Sequence, residues 1–91
     1  MGTKALNGEL CLVCFKKTDL QLHHVFYGTA NRRKSDKYGM VVWLCKECHT
    51  GDEGVHHNKD LDNEVKKWAQ GQFEQHDSRE HFVRIFGKSW L

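Results

Sequence analysis

The chain has 91 residues, of which 38% are apolar and 29% are charged, and its formal net charge is +2. This length predicts a single domain, residues 1–91, with a core that is only marginally stable by itself. The sequence contains no run of about 18 apolar residues, which excludes a membrane-spanning helix, and its first residues lack the apolar core of a signal peptide. A cytoplasmic protein with reduced thiols is therefore expected.

The first predicted strand follows a cysteine pair. Residues 1–10 have no strong pattern and are expected to form a loose lead-in, after which Cys11 and Cys14 form a Cys-x-x-Cys turn. From Leu20 to Val25 apolar and polar residues roughly alternate, as in a half-buried strand. The consecutive residues His23 and His24 lie in this strand, where neighbouring side chains point to opposite sides.

A basic segment, residues 28–37, separates this strand from the next and is predicted to be a loop or a short helix. A local cluster of positive charge suits a polyanionic partner such as DNA, although a solvated loop has the same composition. The candidate phosphate-binding side chains are Arg32, Arg33, Lys34 and Lys37.

The apolar run 40–44 predicts a second strand that pairs with the first in a hairpin-like arrangement. Cys45 and Cys48 then repeat the Cys-x-x-Cys spacing, and His49 follows directly. A helix is expected to begin near His49 and to be short, because glycines follow at positions 51 and 54.

The C-terminal part, residues 61–87, is predicted to be helical. Apolar residues recur every three or four positions from Leu61 to Phe73, which is typical of an amphipathic helix. Ser78 is a suitable N-cap for a further helix, with His81 at the third following position, and Gly87 is a suitable end for it.

The four cysteines predict a structural zinc site. Two Cys-x-x-Cys turns provide four thiolates for a tetrahedral ion, and 30 residues separate the pairs. Zinc would also supply the stability that so small a core lacks. Paired disulfides are the weaker explanation in a cytoplasmic protein. The predicted zinc ligands are Cys11, Cys14, Cys45 and Cys48. Taken alone, these cysteines favour a non-catalytic zinc-ribbon module.

The histidines exceed what that zinc ion can use. There are seven of them, and four form the adjacent pairs His23-His24 and His56-His57. Hydrolysis of a phosphodiester requires a divalent metal and a general base, and imidazole can serve as a ligand or as the base. The histidines therefore indicate a second, catalytic metal site.

The order of these motifs resembles that of the HNH nucleases, the zinc-bearing branch of the ββα-metal superfamily. The run HHVFYGTANRRKSDKYGMVVWLCKECHTGDEGVHHNKDLD is similar to the phage recombination-enhancement (Ref-like) nuclease family, as is the ending FVRIFGKSWL. The resemblance covers roughly residues 11–91. It implies an α+β fold, with a small zinc-stapled ββα-metal core at about residues 20–60 and C-terminal helices at about 61–87.

The resemblance also implies roles for individual histidines. His23, the first residue of the pair, would bind the catalytic metal, and His24 would be the general base. His49 would be a second ligand. His56 would be the third, with His57 as the alternative.

One departure from the family concerns the residue that orients the base. HNH nucleases have an asparagine just before the second strand, where this chain has Lys37-Tyr38-Gly39. The orienting role is therefore unassigned, and Asn31 is a weak candidate for it.

The implied function is a phage or prophage metal-dependent DNA endonuclease linked to recombination. The catalytic ion would be Mg²⁺, Mn²⁺, Ni²⁺ or Zn²⁺, although imidazole ligands disfavour a site for magnesium alone. The partner would be double- or single-stranded DNA, free or coated by a recombinase, and no membrane is expected. The alternatives are a non-catalytic zinc-binding module that contacts DNA or a protein, and an RNA-cleaving toxin on the same scaffold.

Overall fold

A two-stranded sheet and four helices make up the computed structural model, which describes residues 5–27, 29–52 and 54–91. This is a small α+β arrangement, as the sequence predicts. The elements in chain order are β1 (Leu20–His24), α1 (Thr29–Lys37), β2 (Val41–Cys45), α2 (Lys46–Thr50), α3 (Lys59–Glu74) and α4 (Arg79–Phe86). No helix in these ranges is both long and apolar enough to cross a bilayer.

The two strands pair antiparallel, which confirms the predicted hairpin-like arrangement. His23 lies opposite Val42, and His24 lies opposite Val41. The prediction of a loose lead-in is wrong for residues 5–10, because this segment packs beside β2. The Leu6 amide donates to the Val41 carbonyl at 2.9 Å, and the Asn7 side chain accepts from the Trp43 amide at 2.9 Å. Backbone groups on the outer side of β2 thereby gain partners.

The basic segment is helical rather than a loop, because α1 extends from Thr29 to Lys37, whereas Gly28 lies outside the described residues. A buried serine fixes this polar helix to the sheet. The Ser35 hydroxyl donates to the Phe26 carbonyl at 2.7 Å and accepts from the Phe26 amide at 3.1 Å. These two bonds hold α1 beside the end of β1.

The core lies between the hairpin and the two C-terminal helices. Phe26, just after β1, contacts the rings of Phe82 and Phe86 at centroid distances of 5.2 and 4.6 Å. The helix predicted from Leu61 begins two residues earlier, because the Asn58 side chain caps it by accepting from the Leu61 amide.

The predicted ends of α4 are confirmed. The Ser78 hydroxyl accepts from the His81 amide at 3.1 Å, and Gly87 ends the helix with a positive φ of 90°. That left-handed conformation favours glycine.

Candidate functional site

The four cysteines converge on one point, as the sequence predicts. Their sulfur atoms all lie within 4.8 Å of one another, and Cys14 Sγ is 3.5 Å from Cys45 Sγ. That separation is too long for a disulfide, whose S–S bond is about 2.05 Å. It is close to the ~3.8 Å between sulfurs in a zinc tetrahedron with bonds of about 2.3 Å. The cluster is therefore consistent with a structural metal site such as zinc.

Electrostatics also favour a cation among these sulfurs. Burial raises the pKa of Cys11, but hydrogen bonds from the backbone of Cys14, Cys45 and Val13 outweigh this effect and lower the pKa to about 6. Burial and the neighbouring thiols raise the pKa of Cys48. Full ionisation of four adjacent thiols requires a positive charge between them, which a divalent ion supplies.

Three histidines form a second cluster. His23 on β1, His49 on α2 and His56 after α2 each place a ring nitrogen within 4.8 Å of the others. His23 is only 2% exposed, and its buried Nε2 has no hydrogen-bond partner within the described ranges. A buried polar atom without a partner is costly, and a bound cation would satisfy it. Of the adjacent residues His56 and His57, the cluster contains His56.

A tight backbone reversal brings His56 back to His49. The Val55 amide donates to the Cys48 carbonyl at 2.8 Å, and the His56 amide donates to the His49 carbonyl at 3.3 Å. This close approach requires glycine at position 54, where a Cβ would lie 2.8 Å from the Glu47 carbonyl oxygen. The glycine therefore has a role in forming the histidine cluster.

The ring of His49 is oriented by Gln21. Its Nδ1 lies 2.7 Å from Gln21 Oε1, which can only accept a hydrogen bond. In neutral His49 the proton is therefore on Nδ1, and Nε2 carries a free lone pair. That Nε2 is 3.0 Å from His56 Nε2. The distance is near the ~3.3 Å that separates two nitrogens bound to one tetrahedral ion with bonds of about 2.0–2.1 Å, so both atoms can bind the same ion.

His23 is held in the neutral form that binds metal. Burial, followed by the nearby rings of His49 and His56, lowers the pKa of His23 to about 4. Burial and His56 also lower the pKa of His49. Proton competition for these ligands is therefore weak at neutral pH.

The histidine cluster lines a cleft of about 250 Å³ that also includes Leu22, His24, Tyr27 and Arg32. Tyr27 is fixed in the wall because its hydroxyl donates to the buried carboxylate of Asp62 at 2.9 Å. Lys66 neutralises that carboxylate at 2.8 Å. The cleft thus combines convergent imidazoles with a nearby guanidinium.

Comparisons with protein-family models, with curated proteins and with solved structures find no match for this chain. The chemistry of the two side-chain clusters is therefore the basis for a function.

The four basic residues of α1 have different surroundings. Arg32 lines the histidine cleft and also an adjoining recess, and Arg33 lines only that recess. Lys34 is half-buried. The Lys37 ammonium lies 5.5 Å from the ring centre of Tyr38. Only Arg32 is therefore placed to contact a group inside the cleft.

Sequence reasoning missed two polar partners of the histidines. Gln21 contacts His49, and strand alternation was a signal for it because Gln21 and His23 lie on the same face of β1. Asp36 places Oδ1 3.4 Å from His24 Nε2. Among the described residues the side-chain partner of His24 is thus Asp36 rather than Asn31.

We expect Gln21→Ala to weaken metal binding at the histidine cluster by about 10–100-fold, the usual effect of losing the outer partner of a metal-binding histidine. The reason is that His49 would lose the acceptor that fixes its tautomer. Titration of the zinc-loaded protein with Ni²⁺, followed by calorimetry, measures this affinity. Gln75→Ala, at an exposed position after α3, is the control. Equal affinity in Gln21→Ala and the control would remove Gln21 from the site.

Proposed function

We propose that this protein is a metal-dependent DNA endonuclease of the HNH type, acting through the histidine cleft. One observation carries the proposal: three imidazoles converge beside the thiolate cluster, with a fourth histidine and an arginine at the edge of the same cleft. A module that depends on a single four-thiolate zinc site would not require the second cluster.

The positions of the histidines support a ββα-metal core. β1 carries His23 and His24, β2 pairs with β1, and α2 follows β2 directly and carries His49. β1 and α2 thus line the cleft and β2 pairs with β1, which is the strand–strand–helix order that the HNH resemblance implies. In this proposal the thiolate cluster holds Zn²⁺ and fixes the start of α2.

His23, His49 and His56 would hold the divalent cation, and their fit to it follows from the unpartnered Nε2 of His23 and the facing nitrogens of the other two. A bound cation would neutralise charge on the phosphate and on the leaving oxygen. His24 borders the cleft but does not belong to the three-histidine cluster. Its imidazole accepts a proton from the attacking water as general base.

Arg32, which lines the same cleft, binds the phosphate. A guanidinium can donate two parallel hydrogen bonds to phosphate oxygens. Arg33, in the adjoining recess, contacts the next phosphate along the strand. Contacts to backbone phosphates carry no sequence information, so we expect the sequence preference of cleavage to be weak.

The biological setting of this proposal comes from the resemblance to the Ref-like family. The enzyme is encoded by a phage or prophage and acts in the host cytoplasm on DNA, either free or coated by a recombinase. Its catalytic ion is Mg²⁺, Mn²⁺, Ni²⁺ or Zn²⁺.

Plasmid nicking tests the proposal. Zinc-loaded protein is incubated with supercoiled DNA and each of the four ions, with a chelator as the negative control. We expect nicked circles with at least one ion. A protein that shifts DNA on a gel but never cuts it would instead be a non-catalytic zinc module. Preferential cleavage of RNA would indicate a ribonuclease on this scaffold.

A salt titration tests the role of α1. If three or four cations contact phosphates, log affinity should fall against log salt with a slope of about −3, and Arg32→Ala should reduce that slope by about 0.9. Fluorescence anisotropy of a labelled duplex measures the slope, in a His24→Ala background so that cleavage does not consume the probe. Arg84→Ala, on the exposed face of α4, is the matched control. An unchanged slope in Arg32→Ala would place the DNA elsewhere.

A further inference from the structure

The imidazole of His24 faces a carboxylate that the proposed mechanism has not used. Its Nε2 is 3.4 Å from Asp36 Oδ1, and the two side chains are 19% and 56% exposed. We propose that Asp36 is the positioning residue of the general base, in the role that HNH nucleases give to an asparagine. The catalytic role of Asp36 rests on the proposed function, whereas its contact with His24 can be measured without catalysis.

The position of Asp36 is fixed by its neighbour in the chain. Ser35 is completely buried and makes two hydrogen bonds to the backbone of Phe26, two residues beyond His24. Because Asp36 follows Ser35 in a helix, its Cα has little freedom relative to the end of β1. A buried anchor therefore places the backbone of Asp36 within reach of His24.

The pairing selects one tautomer of His24. A carboxylate accepts hydrogen bonds and does not donate them, so a hydrogen bond to Asp36 would keep the proton of neutral His24 on Nε2 and leave the lone pair on Nδ1. A general base requires such a free nitrogen. The 3.4 Å separation is longer than a hydrogen bond, and catalytic bonds of this kind shorten when substrate is bound.

The surrounding charges make a carboxylate compatible with DNA. Asp36 shares a recess of about 390 Å³ with His24, Arg32 and Arg33. The two guanidinium groups offset the repulsion between Asp36 and an approaching phosphate. Asp36 can therefore pair with His24, and α1 still carries a net positive charge.

Steady-state kinetics of plasmid nicking distinguish two roles of Asp36, namely positioning of His24 and simple repulsion of DNA. We expect Asp36→Ala to lower kcat by about 10–100-fold, the range for loss of a histidine's outer partner, with KM for DNA unchanged or lower. Asp36→Asn retains an acceptor oxygen and should recover most of the lost kcat. Glu80→Ala, which removes an exposed acid from α4, is the control. Unchanged kcat with a lower KM in Asp36→Ala would show a repelling charge only and overturn the inference.

The ¹⁵N chemical shifts of the His24 ring provide a readout that does not need cleavage. At pH 8 we expect the Nε2–H tautomer in the unmodified protein and in Glu80→Ala, and a mixture in Asp36→Ala. If the tautomer depends on Asp36 but nothing is cut, the pairing stands and the endonuclease proposal fails. If DNA is cut and neither kcat nor the tautomer responds to Asp36→Ala, the inference fails and the endonuclease proposal stands.

Discussion

We expect His24→Ala to lower the rate of plasmid nicking by about 10²–10⁴-fold, the contribution that a positioned general base makes to a reaction. His24 lies at the edge of the cleft and outside the three-histidine cluster, so its removal leaves the candidate metal ligands in place. The variant should therefore bind metal at both clusters like the unmodified protein. Gel quantification of nicked circles over time, with metal content by mass spectrometry, measures both properties.

His57→Ala is the matched control for this prediction. His57 is exposed and adjacent to His56, but the cluster contains only His56 of that pair. We expect His57→Ala to cut at the rate of the unmodified protein. If His24→Ala also cuts at that rate, another group activates the water and the assignment of His24 is wrong.

We expect Cys45→Ser to unfold the protein. Cys45 is 1% exposed and ends β2, so an ion bound by its thiolate would join the sheet, α2 and the first Cys-x-x-Cys turn. Structural zinc contributes about 10–16 kcal/mol of apparent binding free energy in zinc-finger peptides. The free energy of unfolding of a typical domain is only about 5–15 kcal/mol. The binding free energy lost with the ion should therefore exceed the free energy of unfolding of so small a domain. Far-UV circular dichroism and zinc content would reveal the unfolding.

His49→Ala is the control for this prediction, because it tests whether loss of metal from the histidine cluster alone also unfolds the protein. His49 follows Cys48 directly in α2 and belongs only to the histidine cluster. We expect this variant to stay folded, to keep one zinc ion and to lose the metal at the second cluster. A Cys45→Ser protein that remained folded and zinc-loaded would contradict a stabilising role for the thiolate cluster.

Local patterns in the sequence were sufficient to predict the thiolate cluster and a second metal site, whereas the three histidines of that site were chosen from the resemblance to HNH nucleases. The two Cys-x-x-Cys turns each fix two sulfurs by short-range geometry, and an apolar run before the second turn marks β2. His23 and His24 alternate on a strand, so one side chain is buried and the other remains accessible. The general arrangement of strands and helices followed from the same short-range signals.

Contacts between distant segments were not predictable in this way. The partnership of His24 with Asp36 depends on how α1 docks, and that docking depends on a buried Ser35 in a segment with almost no apolar residues. The lead-in was predicted to be loose because it has no periodicity, yet Asn7 bonds to Trp43, 36 residues later in the chain. Hydrophobic periodicity gives no information on such polar contacts.

Cys48 and His49 are consecutive residues of a helix that is only five residues long. Ordering of the helix by an ion at either cluster also restricts the ligand from the other, so occupation of the two sites should be cooperative. Thermodynamic reciprocity requires each ion to raise the affinity of its neighbour by the same factor. Loss of zinc from the thiolate cluster would then lower the metal affinity of the histidine cluster, although the ligands of that cluster are unchanged.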